Sequence, residues 1–129
     1  MTTQKDAQHL LDDWQRGNVL AETCPSRAIL SHLTSRWGVL AIIVLATGTH
    51  RFSELRRKIA GVSERMLAQT LQQLESDGFV LRVAHNVVPP HVDYSLTPLG
   101  HEAAAHVVAL TRWIEGALPR ILHKHSDAA

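Results

Sequence analysis

From residue 26 onward the spacing of apolar positions changes in blocks, and each block predicts an element. Ile29, Leu30 and Leu33 recur at helical spacing behind Ser26, which can serve as their N-cap. Trp37 to Ala46 is apolar nearly all round, the composition of a helix packed on several sides. Gly48 suits the left-handed position that ends it. Residues 1–23 give a weaker helical pattern, with Leu10, Leu11 and Trp14 running into Gly17 and Asn18.

The middle of the chain is more specific. Ser53 can cap a short helix in which Leu55 and Ile59 lie one turn apart. A break at Ala60-Gly61-Val62 follows, and Ser63 can cap a longer helix with Met66, Leu67, Thr70, Leu71 and Leu74 along one side. Gly78 stops it, with Phe79 placed to pack back on Leu74 in a Schellman ending. Helix, short glycine-containing turn and helix form a helix-turn-helix pattern. Two runs of period two come next. Phe79, Leu81 and Val83 alternate with Val80, Arg82 and Ala84, then Val92, Tyr94 and Leu96 alternate with His91, Asp93 and Ser95. Pro89 and Pro90 cannot donate ladder hydrogen bonds, so the segment between the runs is a protruding loop. Thr97 as cap and Pro98 at the first helical position start a long helix with a stripe of Leu99, Ala103, Val107, Leu110 and Ile114, which Pro119 bends or ends. The fold expected is mainly α with a small β-hairpin wing, a winged helix-turn-helix. Its expected parts are an N-terminal helical segment (1–23), the winged unit with its C-terminal helix (24–122) and a tail (123–129).

Composition sharpens this picture at a few points. Across 129 residues, 45% are hydrophobic and 19% charged, enough to bury a core, which argues against a disordered chain. The single cysteine excludes an intramolecular disulfide framework and fits a reducing compartment. The first twenty residues lack the basic start and apolar stretch of a signal peptide. The apolar run Val39 to Ala46 falls far short of the roughly 18 residues that span a bilayer. A cytoplasmic protein with no membrane partner is expected. Net charge is +1, but its distribution is uneven. Residues 1–23 carry two basic and four acidic side chains, whereas residues 51–65 carry five basic and two acidic ones.

The second helix of such a unit is the one that enters the DNA major groove. Its apolar side is spoken for, leaving Glu64, Arg65, Ala68, Gln69, Gln72 and Gln73 on the open side. Arginine reads guanine bidentately and glutamine reads adenine in the same way. The candidate base-reading set is Ser63, Arg65, Ala68, Gln69, Gln72 and Gln73. The candidate phosphate and wing set is Arg51, Ser53, Arg56, Arg57, Lys58, Arg82, His85 and His91, contacts that position a protein without specifying sequence. A solvated polar helix face is the plain alternative, and the basic cluster one helix away together with the hairpin weighs against it.

The segments Cys24-Pro25, Arg36-Trp37, Arg51-Phe52-Ser53-Glu54-Leu55-Arg56-Arg57, Ser63 with Met66-Leu67, Leu74-Glu75 with Asp77-Gly78, Val88-Pro89-Pro90 and Tyr94 to Gly100 closely resemble the HxlR family. These are bacterial winged-helix transcription regulators related in architecture to MarR proteins. The resemblance spans about residues 24–118. It implies a homodimer held by N- and C-terminal helices, here residues 1–35 and 98–122, and sequence-specific binding of double-stranded DNA. A repressor on an inverted-repeat operator is expected. Two positions depart from the pattern. Gln72 stands where the family often has a basic residue, so a phosphate or guanine contact does not carry over. Gly38 stands where the family usually has Thr or Ser, and glycine in a helix costs on the order of 1 kcal/mol, which predicts a looser helix start.

Some family members sense oxidants or electrophiles through a cysteine at the position of Cys24. A helix start and the nearby Arg27 both favour thiolate, while a small buried hydrophobe is the competing reading. With no second cysteine, any disulfide would be intermolecular or with a small thiol. The other expected effector is a small-molecule inducer. No cofactor or metal is expected. Among nine histidines, His101 and His106 fall on different helix faces and His123 and His125 lie in the tail. None pairs with a cysteine or carboxylate at ligand spacing. Trp14, Trp37 and Trp113 are expected in the core or a dimer interface. A winged-helix protein-interaction module without DNA binding is the alternative function. A thiol enzyme is disfavoured, because neither a glycine-rich phosphate loop nor a paired-carboxylate pattern accompanies Cys24.

Overall fold

The computed structural model describes residues 2–13 and 25–128. The described elements run α1 (Thr3–Asp13), α2 (Pro25–Thr34), α3 (Arg36–Leu45), β1 (His50–Arg51), α4 (Phe52–Lys58), α5 (Glu64–Ser76), β2 (Val80–His85), β3 (His91–Leu96) and α6 (Pro98–Ala128). This is the expected winged helix-turn-helix. One element is additional. The two residues of β1 pair antiparallel with β3, giving a three-stranded sheet of order β1-β3-β2. Among the described residues no single helix is long and apolar enough to cross a membrane. Cys24 and Trp14 lie outside the described residues.

Local chemistry sets several boundaries. The Ser63 hydroxyl accepts from the Met66 N–H at 3.1 Å and caps α5 as expected. At the other end Gly78 sits at φ +88°, where a side chain would be strained, so glycine closes the helix. The Phe79 N–H reaches the Leu74 carbonyl at 3.0 Å and the Gly78 N–H reaches that of Glu75 at 3.0 Å, the two bonds of a Schellman ending. Thr97 caps α6 by accepting from the Gly100 N–H at 2.9 Å, and its own hydroxyl donates to the Gly78 carbonyl at 2.6 Å. One threonine thus joins the end of α5 to the start of α6.

Three boundaries differ from expectation. Helix α2 begins at Pro25, so Ser26 lies within its first turn rather than capping it, and Ser35 instead caps α3 by accepting from the Gly38 N–H. Helix α4 begins at Phe52, which puts Ser53 inside it and Arg51 at the N-cap position. An arginine side chain has no acceptor. Only the return contact is made, from the Arg51 N–H to Glu54 Oε1 at 2.8 Å. Pro119 does not end α6, which continues through the expected tail to Ala128.

The core gathers Ala41, Ile42 and Leu45 of α3, Leu55 of α4, Leu67, Leu71 and Leu74 of α5, with Val80, Tyr94 and Leu96 of the sheet. Met66, expected with the apolar side of α5, is 41% exposed, because one step of a helix turns it away from buried Leu67. On β2 it is Val80 that is buried, while Leu81 and Val83 face outward. The stripe of α6 divides in the same way, with Val107 buried, Ala103 half-buried and Leu99, Leu110 and Ile114 exposed, while Ala104, outside that stripe, is buried.

Gly38 stands where α2 and the start of α3 approach too closely for a side chain. A Cβ there would come within 2.1 Å of the His32 carbonyl oxygen and 2.6 Å of Ser35 Oγ. Helix propensity alone favours alanine by about 1 kcal/mol, but a backbone oxygen cannot swing aside as a flexible side chain can. Gly38→Ala is therefore expected to lose about 1–2 kcal/mol of stability net. A fall in the urea midpoint at unchanged slope would show it. An unchanged or raised midpoint would mean that the α2–α3 junction opens freely.

Candidate nucleic-acid interface

Helices α4 and α5 are joined through residues 59–63 and share one buried side, with Leu55, Ile59, Val62, Leu67, Leu71 and Leu74 at 7% exposure or less. Burying that side fixes what α5 turns outward. Ser63, Arg65, Ala68, Gln69 and Gln72 are exposed, and Gln73 is half-buried at the edge. The expected base-reading residues therefore share the open side of α5, and Met66 joins them at its start.

The basic set is exposed as well. Arg51, Ser53, Arg56, Arg57 and Lys58 all reach solvent. Phe52, Ser53, Arg56 and Arg57 of α4 and Glu64 of α5 line an open cleft of ≈ 540 Å³. Arg56 Nη1 lies 3.6 Å from Glu64 Oε2, with both side chains well exposed. Such a pair is worth only about 0–1 kcal/mol, so an incoming phosphate can compete for the guanidinium. Lys58 has a tether that the sequence did not announce. Buried His50 uses Nδ1–H to donate to the Gly48 carbonyl at 2.7 Å, which leaves Nε2 to accept from Lys58 Nζ at 3.2 Å. The Arg51 N–H bond to Glu54 holds that carboxyl below its ordinary value of 4.5, with the charges of Arg51 and Arg57 adding in the same direction. Glu54 thus holds its charge to a lower pH than an ordinary glutamate at the start of α4, where negative charge suits the helix dipole.

The wing divides the remaining candidates between two faces. The β2–β3 register pairs Arg82 with Tyr94 and His85 with His91. Strand alternation then places Arg82 on the side of Tyr94, facing the helices, and both histidines on the opposite side. Arg82 and Tyr94 line a groove with Ala68, Gln72 and Glu75, so Arg82 adjoins the open side of α5. His85 and His91 do not. The His85 Nε2–H donates to Asp93 Oδ2 at 2.8 Å, and the two imidazole rings stack with centroids 4.7 Å apart. The expectation that no histidine meets a carboxylate at ligand spacing is corrected here, since His85, His91 and Asp93 bring ligand atoms within 4.8 Å of one another. The strand spacing of His91 and Asp93 was the available signal, but His85 joins them only through the hairpin register.

Away from this surface, an apolar cavity of ≈ 370 Å³ lies between α2, α3 and α6, lined by Leu30, Leu33, Val39, Phe79, Ala103 and Val107 among others.

A helix-turn-helix with an outward polar second helix, a basic first helix and a three-stranded wing defines a winged-helix transcriptional regulator. The chain belongs to the HxlR family: the model of the HxlR-like helix-turn-helix matches residues 32–121. It is similar to the HTH-type transcriptional regulator YtfH of Escherichia coli strain K12, with 60% identity over 115 residues, covering 89% of this chain and 91% of that one. Among solved structures, ytfH of Salmonella typhimurium, a transcriptional regulator by its name, superposes with a TM-score of 0.81 at 61% identity, covering 85% of this chain and 98% of that one. The reduced form of the redox regulator HypR gives a TM-score of 0.70 at 31% identity, covering 77% and 98%.

Proposed function

We propose that the chain works as a homodimer that binds an inverted-repeat operator in double-stranded DNA and represses transcription from it. The carrying observation is the continuity of the exposed face: Arg65, Gln69 and Gln72 share the open side of α5, Gln72 lines a groove with Arg82 on one side, and Glu64 at the start of α5 meets Arg56 of the basic cluster on the other. Base readout belongs to Arg65, Gln69, Gln72 and Gln73, with Ser63 and Ala68 against the groove wall. Arg51, Ser53, Arg56, Arg57, Lys58 and Arg82 hold phosphates. Two copies place two α5 helices on one side of the duplex, so half-sites lie about one turn or a whole number of turns apart.

Dimerisation accounts for apolar surface that one chain leaves bare. Leu110, Trp113, Ile114, Leu118 and Leu122 follow one another along α6, each at least 37% exposed, and α1 buries none of its residues. A contiguous apolar patch of this kind marks an interaction surface. The cavity between α2, α3 and α6 suits a small apolar inducer, while Cys24 serves as the alternative, thiol-based sensor, in keeping with the redox regulation that the name of HypR states. The protein acts in the cytoplasm, where a single thiol stays reduced until challenged.

The test is capture of sheared genomic DNA by the reduced protein at low salt, repeated after diamide treatment, with the captured DNA sequenced. Enrichment of a few inverted-repeat sites supports the reading, and its loss on oxidation, abolished by Cys24→Ser, assigns the signal to the thiol. Enrichment that survives diamide points to a bound ligand as the signal, with the apolar cavity as its candidate site. No enrichment at low salt overturns DNA binding in favour of a protein-interaction module.

A further inference from the structure

We infer that the wing carries a binding site for a divalent transition-metal ion, built from His85, His91 and Asp93. This inference rests on the sheet register and does not depend on the DNA-binding reading. In the β2–β3 ladder His85 stands opposite His91, and Asp93 stands opposite Val83, one step inward on the same face. All three side chains therefore leave the sheet together on the face opposite Tyr94 and α5, with His91 also bordering Phe52 and Ser53 at the start of α4. Their ligand atoms lie within 4.8 Å of one another. Each is half-buried, with side-chain exposures of 39% for His85, 23% for His91 and 28% for Asp93.

The spacings fit an ion. Bonds of about 2.0–2.1 Å at tetrahedral angles separate neighbouring ligand atoms by about 3.3 Å. Asp93 Oδ2 lies 2.8 Å from His85 Nε2, and Asp93 Oδ1 lies 3.9 Å from His91 Nε2. These two contacts use different carboxylate oxygens; taken as one ligand atom per residue the three lie within 4.8 Å of one another, at most about 1.5 Å beyond the tetrahedral spacing, so side-chain rotations would draw them onto the ion. Hydrogen bonding alone satisfies His85, whereas His91 at 3.9 Å is too far from the carboxylate to share it. Arg51 faces Asp93 across the β1–β3 pair but forms no ion pair with it, so the carboxylate is left to the imidazoles.

Two imidazoles and one carboxylate select the class of ion. Nitrogen donors disfavour magnesium and calcium, and the lack of thiolate in the cluster disfavours copper(I). Zinc and its divalent neighbours accept this donor set, with a fourth position open to water. Such an ion ties the end of β2 to the start of β3 and closes the loop at residues 86–90 from its base.

The probe is Zn²⁺ alone, titrated into the reduced, chelator-stripped full chain. One ion per chain is expected at the wing, with His91→Gln and Asp93→Asn each weakening it at least about tenfold, by analogy with outer-shell losses that already reach that size. His101→Gln and His106→Gln, on exposed positions of α6, serve as controls and are expected to leave affinity unchanged. In the wild type, imidazole NMR signals of His85 and His91 should shift together with Zn²⁺, a readout that needs no variant. Substituted Co²⁺ should give a tetrahedral absorption without the sulfur charge-transfer band that Cys24 would add. Zinc binding undiminished in both His91→Gln and Asp93→Asn, or wild-type signals of His85 and His91 that stay still at saturating Zn²⁺, would overturn the site.

Discussion

Leu67→Ala is expected to lower the unfolding free energy by about 2–5 kcal/mol, the range for truncating a fully buried leucine. Leu67 is 0% exposed, on the buried side through which α5 joins the core with α3. The loss combines transfer of the missing carbons with a cavity that the surrounding close-packed core cannot fully collapse to fill. Domains of this size have a total stability of about 5–15 kcal/mol, so the variant gives up a large share of it. Two steps along the same helix, Gln69→Ala is expected to shift stability by no more than about 0.5 kcal/mol, because Gln69 is exposed. Urea unfolding of the pair checks both values. A loss under about 1 kcal/mol for Leu67→Ala would mean that α5 is held chiefly by something other than its buried face.

That contrast shows what was legible in the sequence. Ser63 and Gly78 announce the ends of α5 because capping depends on residues at fixed offsets along the chain, and both endings form as expected. Ser26 and Ser53 mislead for a related reason. A serine can cap or simply occupy a first turn, and here the helices already run from Pro25, a residue suited to a first helical position, and from Phe52. Strand β1 has two residues and exists only by pairing with β3, more than forty positions away, so no local pattern marks it. On β2 both faces carry apolar residues. Alternation separates Val80 from Leu81 and Val83 but cannot say which side the helices cover.

The same division holds at the site. The open side of α5 is readable because subtracting a 3.6-period apolar stripe leaves it over, and the basic run at 51–58 is a matter of composition. The contacts that organise those residues are long-range in sequence or need coordinates. His50 holds Lys58, Arg82 sits beside Gln72 while His85 turns away, and His32 of α2 pairs with Asp77 at the end of α5 at 2.5 Å. Each follows from the three-dimensional arrangement of elements.

Arg65→Ala is expected to cost about 2–6 kcal/mol in operator affinity, since the dimer loses one bidentate base contact in each half-site at about 1–3 kcal/mol apiece. The loss should fall on particular base pairs, so the variant binds operators mutated there as well as it binds the intact one. Arg56→Ala should behave differently. Its guanidinium shares the cleft at the start of α5 with Glu64, at 3.6 Å, and in the proposed complex it holds a phosphate rather than a base edge. Removing it weakens every sequence alike and flattens the dependence of log affinity on log salt by about 2 for the dimer, one phosphate contact per chain. Glu64→Gln supplies the converse. Freed from its carboxylate neighbour, Arg56 should bind DNA of any sequence more tightly at low salt, an advantage that fades as salt screens the contact. Affinity measured over a salt series, on the intact operator and on single-base variants, separates the two roles. Arg65→Ala and Arg56→Ala giving the same salt slope and the same base preference would mean that α5 does not read sequence through Arg65.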